Sequence, residues 1–197
     1  MRARDLTLVA LLSVPGPQAI GQRLNPVVDL LAAKRPVFGL YAPANRRGRP
    51  GAPVDTTVRV RTPDELAGDA LAHATTDYIF DGSMEGNFDR GFETFSAFVG
   101  GMVKGASAAR WRHPLVVKTS QLAPDYDLAR ARVSKQLNLG VSAIVFVGVE
   151  SADEVKQGLA MMRFKSKGGT RPDDVGGAPA YWGLSEKDYR EIGRAHV

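Results

Sequence analysis

The stretch from residue 77 to residue 85 decides the fold, and it reads Asp77-Tyr78-Ile79-Phe80-Asp81-Gly82-Ser83-Met84-Glu85. Its three consecutive apolar residues suit a short buried β-strand, and Gly82 ends the run. The strand delivers two carboxylates, Asp81 and Glu85, to a loop at its carboxyl end. In parallel α/β folds, site residues collect at the carboxyl ends of the strands. The stretch therefore predicts a parallel sheet with candidate site residues at one rim.

The same unit, a short apolar run followed by a helical segment, recurs along the chain. The predicted strands are 37–41, 78–81, 115–117 and 143–147. The predicted helices are 25–35, 62–74, 88–104, 124–137, 151–162 and one that begins at 185. Nearly continuous apolar strands that alternate with helices predict an α/β fold with helices packed over a parallel sheet. Two closures fit this pattern: an open doubly wound sheet, or part of a barrel.

The composition is that of a globular domain with one sizeable core. The chain has 197 residues, of which 44% are hydrophobic and 24% charged, and its net charge is +5. The absence of cysteine excludes disulfides, thiolate metal sites and cysteine nucleophiles. Much of the positive charge lies in Arg46-Arg47-Gly48-Arg49, where no aromatic residues are interleaved. That pattern favours a solvated or anion-holding loop over a nucleic-acid site, so we expect no nucleic-acid partner.

The N-terminus has the layout of a secretory signal peptide. Arg2 and Arg4 precede an apolar run over 6–14, which Pro15-Gly16-Pro17 breaks before the small residues of Ala19-Ile20-Gly21. We predict a signal peptide over residues 1–21 and a periplasmic or secreted protein with no membrane anchor after processing. The alternative is a ragged extension on a cytoplasmic protein. The run is too short for a transmembrane helix.

Four polar residues stand at or just after predicted strand ends and are the candidate site residues: Asp81, Glu85, Lys118 and Glu150. Each has a structural alternative. Asp81 could be a loop cap, Glu85 a solvated acid, and Lys118 a surface lysine. Glu150 could be a polar residue that precedes a helix. The sequence shows no convincing Ser-His-Asp or Glu-x-x-His motif. The functional interpretation is therefore based on the four residues at the strand ends.

Several stretches occur in a characteristic order and spacing: RPVFGL at 35–40, DYIFDG at 77–82, PLVVK at 114–118, the segment 139–150, SADE at 151–154 and GGTR at 168–171. They resemble the HpcH/HpaI aldolase–citrate lyase family, whose members are metal-dependent (β/α)8 barrels that act on pyruvate-type enolates. The resemblance covers about residues 25–190. It implies that 22–190 form the first four βα units of a truncated TIM barrel of the phosphoenolpyruvate/pyruvate type.

The resemblance also implies an activity, the metal-dependent aldol cleavage or condensation of a pyruvate-derived 2-keto acid with an aldehyde. Asp81 and Glu85 would be catalytic, and Lys118 and Glu150 would bind substrate. Lys118 stands where the family has a substrate-orienting arginine. The family's second strand usually ends Asp-Gly-Glu-His, and Met84 occupies the position of the histidine. Since methionine cannot transfer a proton, an alternative is a non-catalytic, exported member that binds a small acid.

The family's metal ligands, a Glu and an Asp, belong to a fifth and a sixth strand, which this chain does not reach. We therefore expect no metal ligand within it, Mg²⁺ or Mn²⁺ in the full-length protein, and no activity of the fragment alone. Residues 191–197, EIGRAHV, resemble a translated sequencing adapter, so we expect a non-native tail there and a natural chain that continues. The family is typically oligomeric, which implies a homo-oligomer at full length.

Overall fold

The protein is described here by a computed structural model that covers residues 25–45, 57, 59–105 and 107–192. The predicted signal peptide at 1–21 and the basic cluster at 46–49 lie outside these residues. Most of the expected tail, 193–197, lies outside them too. These three interpretations stay predictions. Residues 191 and 192 continue the last helix, so the first two positions of that expected tail are helical.

Four parallel strands form a single sheet. They are β1 (Gly39–Tyr41), β2 (Tyr78–Asp81), β3 (Leu115–Lys118) and β4 (Ala143–Val145), and their order in the sheet is the order of the chain. All three neighbouring pairs are parallel. The predicted α/β class with a parallel sheet is therefore confirmed. The observed β1 and β4 are each two residues shorter than predicted.

Helices connect and follow the strands. They are α1 (Pro26–Ala32), α2 (Pro63–Ala72), α3 (Phe88–Lys104), α4 (Ser107–Trp111), α5 (Tyr126–Asn138), α6 (Ala152–Met162), α7 (Ala178–Trp182) and α8 (Glu186–Ile192). The predicted start of α2 is confirmed by a capping box between Thr62 and Glu65. The Ser151 side chain caps α6 in a similar position. Within the described ranges, no helix is long and apolar enough to cross a membrane.

One face of the sheet is covered by helices, and the other is partly open. Ile79, Leu115 and Val117 are fully buried, and they alternate along β2 and β3 with half-buried Phe80 and Val116. Successive strand residues point to opposite faces, so this alternation identifies the covered face. Full burial of each such aliphatic side chain contributes about 1.5–3 kcal/mol to stability. The core therefore sits between the sheet and the helices on one side.

Helix α3 contributes the buried phenylalanines of that core. Phe88, Phe95 and Phe98 are buried. The helix ends at Lys104, as predicted, although Gly100 and Gly101 lie in its last turns. A Cβ atom on Gly101 would lie 2.8 Å from the carbonyl oxygen of Pro63, which begins α2. The glycine therefore lets α2 cross closely over α3, and a larger residue would push the two helices apart.

Helix α1 is shorter than the predicted helix 25–35 and packs loosely. It buries none of its residues, and Leu31 is 60% exposed. Its position is set by Asn25, whose side chain caps the helix and donates a hydrogen bond to Ser142 Oγ, 3.2 Å away. Ser142 immediately precedes β4. Helix α1 thus lies at the amino ends of the strands, away from the predicted site.

The segment 165–183, predicted as a long loop, folds back onto the core. It contains a short 3₁₀ helix (Lys165–Lys167) and α7, and both Tyr181 and Trp182 are buried. The buried Arg110 guanidinium holds α7 by donating hydrogen bonds to carbonyl oxygens of α3, Gly105 and α7. Burial lowers the pKa of Arg110.

Candidate functional site

Two of the predicted site residues meet at the carboxyl ends of the strands. Lys118, the last residue of β3, places Nζ 2.8 Å from Oε2 of Glu85, which lies in the loop after β2. Their side chains are 33% and 43% exposed. An ion pair this exposed contributes only about 0–1 kcal/mol to stability. Its interest lies in its position, since it places a cation and a carboxylate together at the rim.

Asp81 does not join this pair. In the sheet it is the partner of Val117, one residue before Lys118, and successive strand residues face opposite sides. Its Oδ1 accepts hydrogen bonds from the backbone N–H of Ser83, at 2.9 Å, and from Ser83 Oγ, at 2.6 Å. The structure thus shows Asp81 shaping the loop that leads to Glu85. Its predicted catalytic role stays a prediction.

Glu150 is exposed in the loop before α6. Its backbone N–H donates to Oε2 of Glu154, 3.3 Å away, so its observed contact belongs to the helix cap. Among the described residues, no hydrogen bond or ion pair joins its side chain to Lys118 or Glu85. Its predicted role in substrate binding also stays a prediction.

Met84, at the position where the resembled family has a histidine, is fully buried. Its Sδ lies 3.4 Å from Nε2 of Gln136, and its carbonyl oxygen accepts a hydrogen bond from Ser120 Oγ at 3.1 Å. Gln136 Nε2 also donates to the carbonyl oxygen of Lys118, 3.0 Å away. The side chain of Met84 is therefore part of the core and offers no group to the rim.

Sequence reasoning missed Gln136, although a sign of it is present. In α5, Gln136 occupies the inward position three residues after Val133 and is as fully buried as Val133. A glutamine in the apolar stripe of a helix must find hydrogen-bond partners inside the protein. Here the partner is the end of β3, the strand that carries Lys118.

Sequence reasoning also passed over Tyr41, the last residue of β1. Its ring packs edge-on against Phe80, with the ring centroids 5.3 Å apart. A Cβ atom on Gly82 would lie 2.9 Å from the Tyr41 hydroxyl oxygen. The glycine of the Asp-Gly pair thus leaves room for a phenol hydroxyl at the same rim. Tyr41 could have been identified as a polar residue at the carboxyl end of a predicted strand.

A cleft of about 840 Å³ opens beside Glu85. It lies between the loops that follow β2, β3 and β4, and its lining includes Glu85, Ser120, Gln121, Asp125, Arg132 and Gly148. Small-molecule sites commonly measure roughly 300–1,000 Å³. The Arg132 guanidinium lies over the ring of Phe88, 5.1 Å from its centroid. The cleft is large enough for a small molecule, and Glu85 is the residue that belongs both to its lining and to the pair with Lys118.

The described residues do not form a metal site. In that part of the chain, no group of three or more His, Cys, Asp or Glu side chains is placed to hold an ion. The two rim carboxylates that could contribute are each engaged elsewhere, Glu85 with Lys118 and Asp81 with Ser83.

Comparison with known proteins adds no assignment. No protein-family model matches the chain, and no curated protein matches it either. The geometry of the rim, together with the short stretches that resemble the aldolase–citrate lyase family, is therefore what a functional proposal rests on.

Proposed function

We propose that this chain supplies the keto-acid-binding part of a carbon–carbon lyase that cleaves or forms aldol products of a pyruvate-type enolate. One observation carries the proposal. Lys118 Nζ and Glu85 Oε2 lie 2.8 Å apart at the carboxyl ends of parallel strands, beside a cleft of about 840 Å³. The pair combines an anion-binding group with a carboxylate that can accept a proton. The resemblance of the surrounding strands to the lyase family supports the same assignment.

The fold we propose for the whole protein is a (β/α)8 barrel, of which the described sheet forms the first half. The order β1-β2-β3-β4 supports this proposal because it follows the chain without a reversal. Doubly wound sheets reverse strand order at a switch point, whereas barrel strands follow one another around the circle. The single helix-covered face of the sheet is also what a barrel wall requires.

Substrate binding at this rim would be an exchange of carboxylates. The Lys118 ammonium is a compact cation whose partner in the substrate-free protein is Glu85. The carboxylate of a 2-keto acid would replace Glu85 on Lys118, so the Glu85 side chain is released as the substrate arrives. Both side chains are partly exposed, so neither the exchange nor the entry of substrate requires the core to open.

The released Glu85 carboxylate would then act first as the proton acceptor and later as the proton donor. It accepts a proton from the methyl carbon of the keto acid, and the electron pair of that C–H bond forms the enolate. The enolate carbon attacks the aldehyde carbonyl carbon, which forms the new C–C bond and leaves an alkoxide. Protonated Glu85 returns the proton to the alkoxide oxygen, and the product is a 4-hydroxy-2-keto acid. Cleavage is the same sequence in reverse.

The resemblance implies a divalent cation, Mg²⁺ or Mn²⁺, that stabilises the enolate. The described residues of this chain do not fit such an ion, because their rim carboxylates are not grouped. We therefore assign no step to it here. The ligands implied by the resemblance, a Glu and an Asp on a fifth and a sixth strand, are part of the proposal for the full-length protein.

Binding of pyruvate to this chain tests the proposal, and ligand-observed NMR titration measures it. We expect Lys118→Met to weaken binding at least tenfold and Glu85→Gln to strengthen it, because the internal competitor for Lys118 is lost. Lys104→Met is the matched control, since Lys104 forms an exposed ion pair with Asp64 at 2.7 Å. Wild-type affinity in Lys118→Met, or no binding by any variant, would overturn the proposal.

A second candidate is a non-catalytic, exported protein that binds a small acid on the same fold. Burial of Met84 favours it, because the position that usually carries the base presents no proton-transfer group to the rim. Exchange of pyruvate methyl protons for deuterium, measured by NMR on the full-length protein with Mg²⁺, separates the two. If the protein catalyses exchange, and if Glu85→Gln lowers the exchange rate by about 10²-fold or more, the protein is the enzyme. Binding without exchange identifies the receptor.

A further inference from the structure

A closed path of contacts lies behind the Lys118–Glu85 pair. From the carbonyl oxygen of Lys118 it runs to Gln136 Nε2, at 3.0 Å, and from there to Met84 Sδ, at 3.4 Å. Met84 is bonded through one peptide to Glu85, whose carboxylate returns to Lys118 Nζ at 2.8 Å. The same glutamine side chain therefore contacts the main chain of Lys118 and the residue that precedes Glu85.

A second contact ties the same two loops together. Ser120 Oγ, just beyond β3, donates to the carbonyl oxygen of Met84 at 3.1 Å. The loop after β2 is thus fastened through Met84 both to α5 and to the loop after β3. Gln136 and Met84 are fully buried, so water does not compete for the contact between them. We call the three contacts of Gln136 and Ser120 with Lys118 and Met84 the anchor contacts.

We propose that Gln136 and Met84 are positioning residues that hold the Glu85 carboxylate against the Lys118 ammonium. This inference rests on the proposed keto-acid site, which it deepens. The anchor contacts hold Met84, the residue before Glu85, and the main chain of Lys118, so the Glu85 carboxylate can leave Lys118 when an acid binds and return to the same place afterwards. Met84 then holds the proton-accepting residue that follows it.

The chemistry of Gln136 argues against a role in packing alone. Its Oε1 is buried and has no hydrogen-bond partner among the described residues. An amide oxygen buried in this way is destabilising, and a leucine of similar size would fill the same space without that penalty. A residue that departs from the locally most stable choice is expected at a functional position. What the glutamine provides here is its link to both Lys118 and Met84.

The test detects the Lys118–Glu85 ion pair through the chemical reactivity of Lys118, and it requires no enzymatic activity. We would label wild type with acetic anhydride and measure the rate at Lys118 by peptide mass spectrometry, using Lys104 in the same sample as the reference. In Glu85→Gln the Lys118 amine loses its partner, so the rate ratio should rise severalfold. Gln136→Leu should produce the same rise if the anchor contacts hold the pair. The double variant Gln136→Leu/Glu85→Gln should then show no further rise.

Ser120→Ala keeps the test decisive if Gln136→Leu does not fold. Ser120 is only partly buried, so its substitution removes one anchor contact without disturbing the core. Circular dichroism confirms which variants are folded. The inference is overturned if the folded anchor variants keep the wild-type Lys118 rate while Glu85→Gln raises it. It is also overturned if Glu85→Gln itself changes nothing, since the pair would then be absent.

The two proposals fail separately. If Lys118→Met binds pyruvate like wild type while Gln136→Leu releases Lys118, the keto-acid site is wrong and the positioning contacts stand. If Lys118→Met loses pyruvate while Gln136→Leu leaves both the labelling rate and pyruvate affinity unchanged, the site stands and Gln136 is only a core residue.

Discussion

Asp81 and Lys118 end neighbouring parallel strands, yet their side chains lie on opposite faces of the sheet, because Asp81 is in register with Val117. The carboxylate that completes the rim pair comes instead from Glu85, four residues further along the chain. The two acids at the carboxyl end of this strand, Asp81 and Glu85, therefore have different roles. Asp81 holds the loop through Ser83, and Glu85 meets the cation.

The first prediction separates the charge of Asp81 from its hydrogen bonds. Asp81→Asn keeps an oxygen that accepts from Ser83, so we expect its free energy of unfolding and its pyruvate affinity to stay close to wild type. Asp81→Ala loses both hydrogen bonds and should lower the free energy of unfolding by about 1–2 kcal/mol. Urea denaturation measures the difference. An Asn variant as unstable as the Ala variant would show that the charge itself is required.

The second prediction concerns His113, which is buried between two backbone carbonyl groups. Its Nδ1 lies 2.8 Å from the Ala109 oxygen and its Nε2 lies 2.8 Å from the His73 oxygen. His113→Ala leaves a cavity and removes the ring N–H that donates to one of these carbonyl oxygens, so the free energy of unfolding should fall by about 2–5 kcal/mol. His73→Ala is the control, because it keeps the accepting carbonyl and removes an exposed side chain. A similar loss in both variants would contradict the bridging role.

The third prediction concerns Gly140, which has a φ of +97°. A Cβ atom there would lie 2.5 Å from Cβ of Tyr181. Gly140→Ala should therefore destabilise the protein by about 1–3 kcal/mol or more, from backbone strain together with the displacement of α7. Gly100→Ala provides the contrast, since Gly100 lies within α3 and a Cβ there would meet nothing within 4 Å. That change should stabilise by about 0.5–1 kcal/mol. Thermal denaturation of both variants tests the pair.

The fourth prediction concerns acid. The hydrogen bond from the backbone N–H of Thr62, followed by that from Arg59, holds the pKa of Glu65 below its usual 4.5. A carboxyl whose pKa is lower in the folded state contributes stability above its unfolded pKa and loses it as the pH falls through the folded value. The capping box should therefore weaken below pH 4.5. In Glu65→Gln, which keeps the capping geometry, the melting temperature should fall less steeply over that range than in wild type.

Sequence patterns predicted the elements whose causes are local. The Thr62 capping box is complete within four residues, and the aromatic stripe of α3 is visible in seventeen. Both were confirmed. The parallel sheet was also predictable, because the strand segments consist almost entirely of apolar residues and alternate with helices. Helix α4 and helix α7 were not predicted, since each is only five residues long and is held by tertiary contacts.

The site was only half predictable for a different reason. Lys118 and Glu85 were identified by their positions at strand ends, but their pairing depends on the loop between β2 and α3. The face on which Asp81 lies depends on a register that a shift of one residue would reverse. The role of Met84 depends on Gln136, which is 52 residues away in the chain. Hydrophobic periodicity reports only which residues share a face of one helix or strand, so it cannot reveal a contact between residues so far apart in the chain.

The way in which Arg110 holds α7 has a consequence for the acid-treated protein. Among the described residues, its guanidinium donates to main-chain oxygens, including those of Val103 and Tyr181, and to no carboxylate. Protonating the carboxylates of the protein therefore removes none of its partners, and salt has no side-chain ion pair there to screen. We expect a partly unfolded acid state to keep the α3–α7 contact after the capped surface helices have begun to fray. The last tertiary contact to be lost in acid would then be the one made by the buried Arg110.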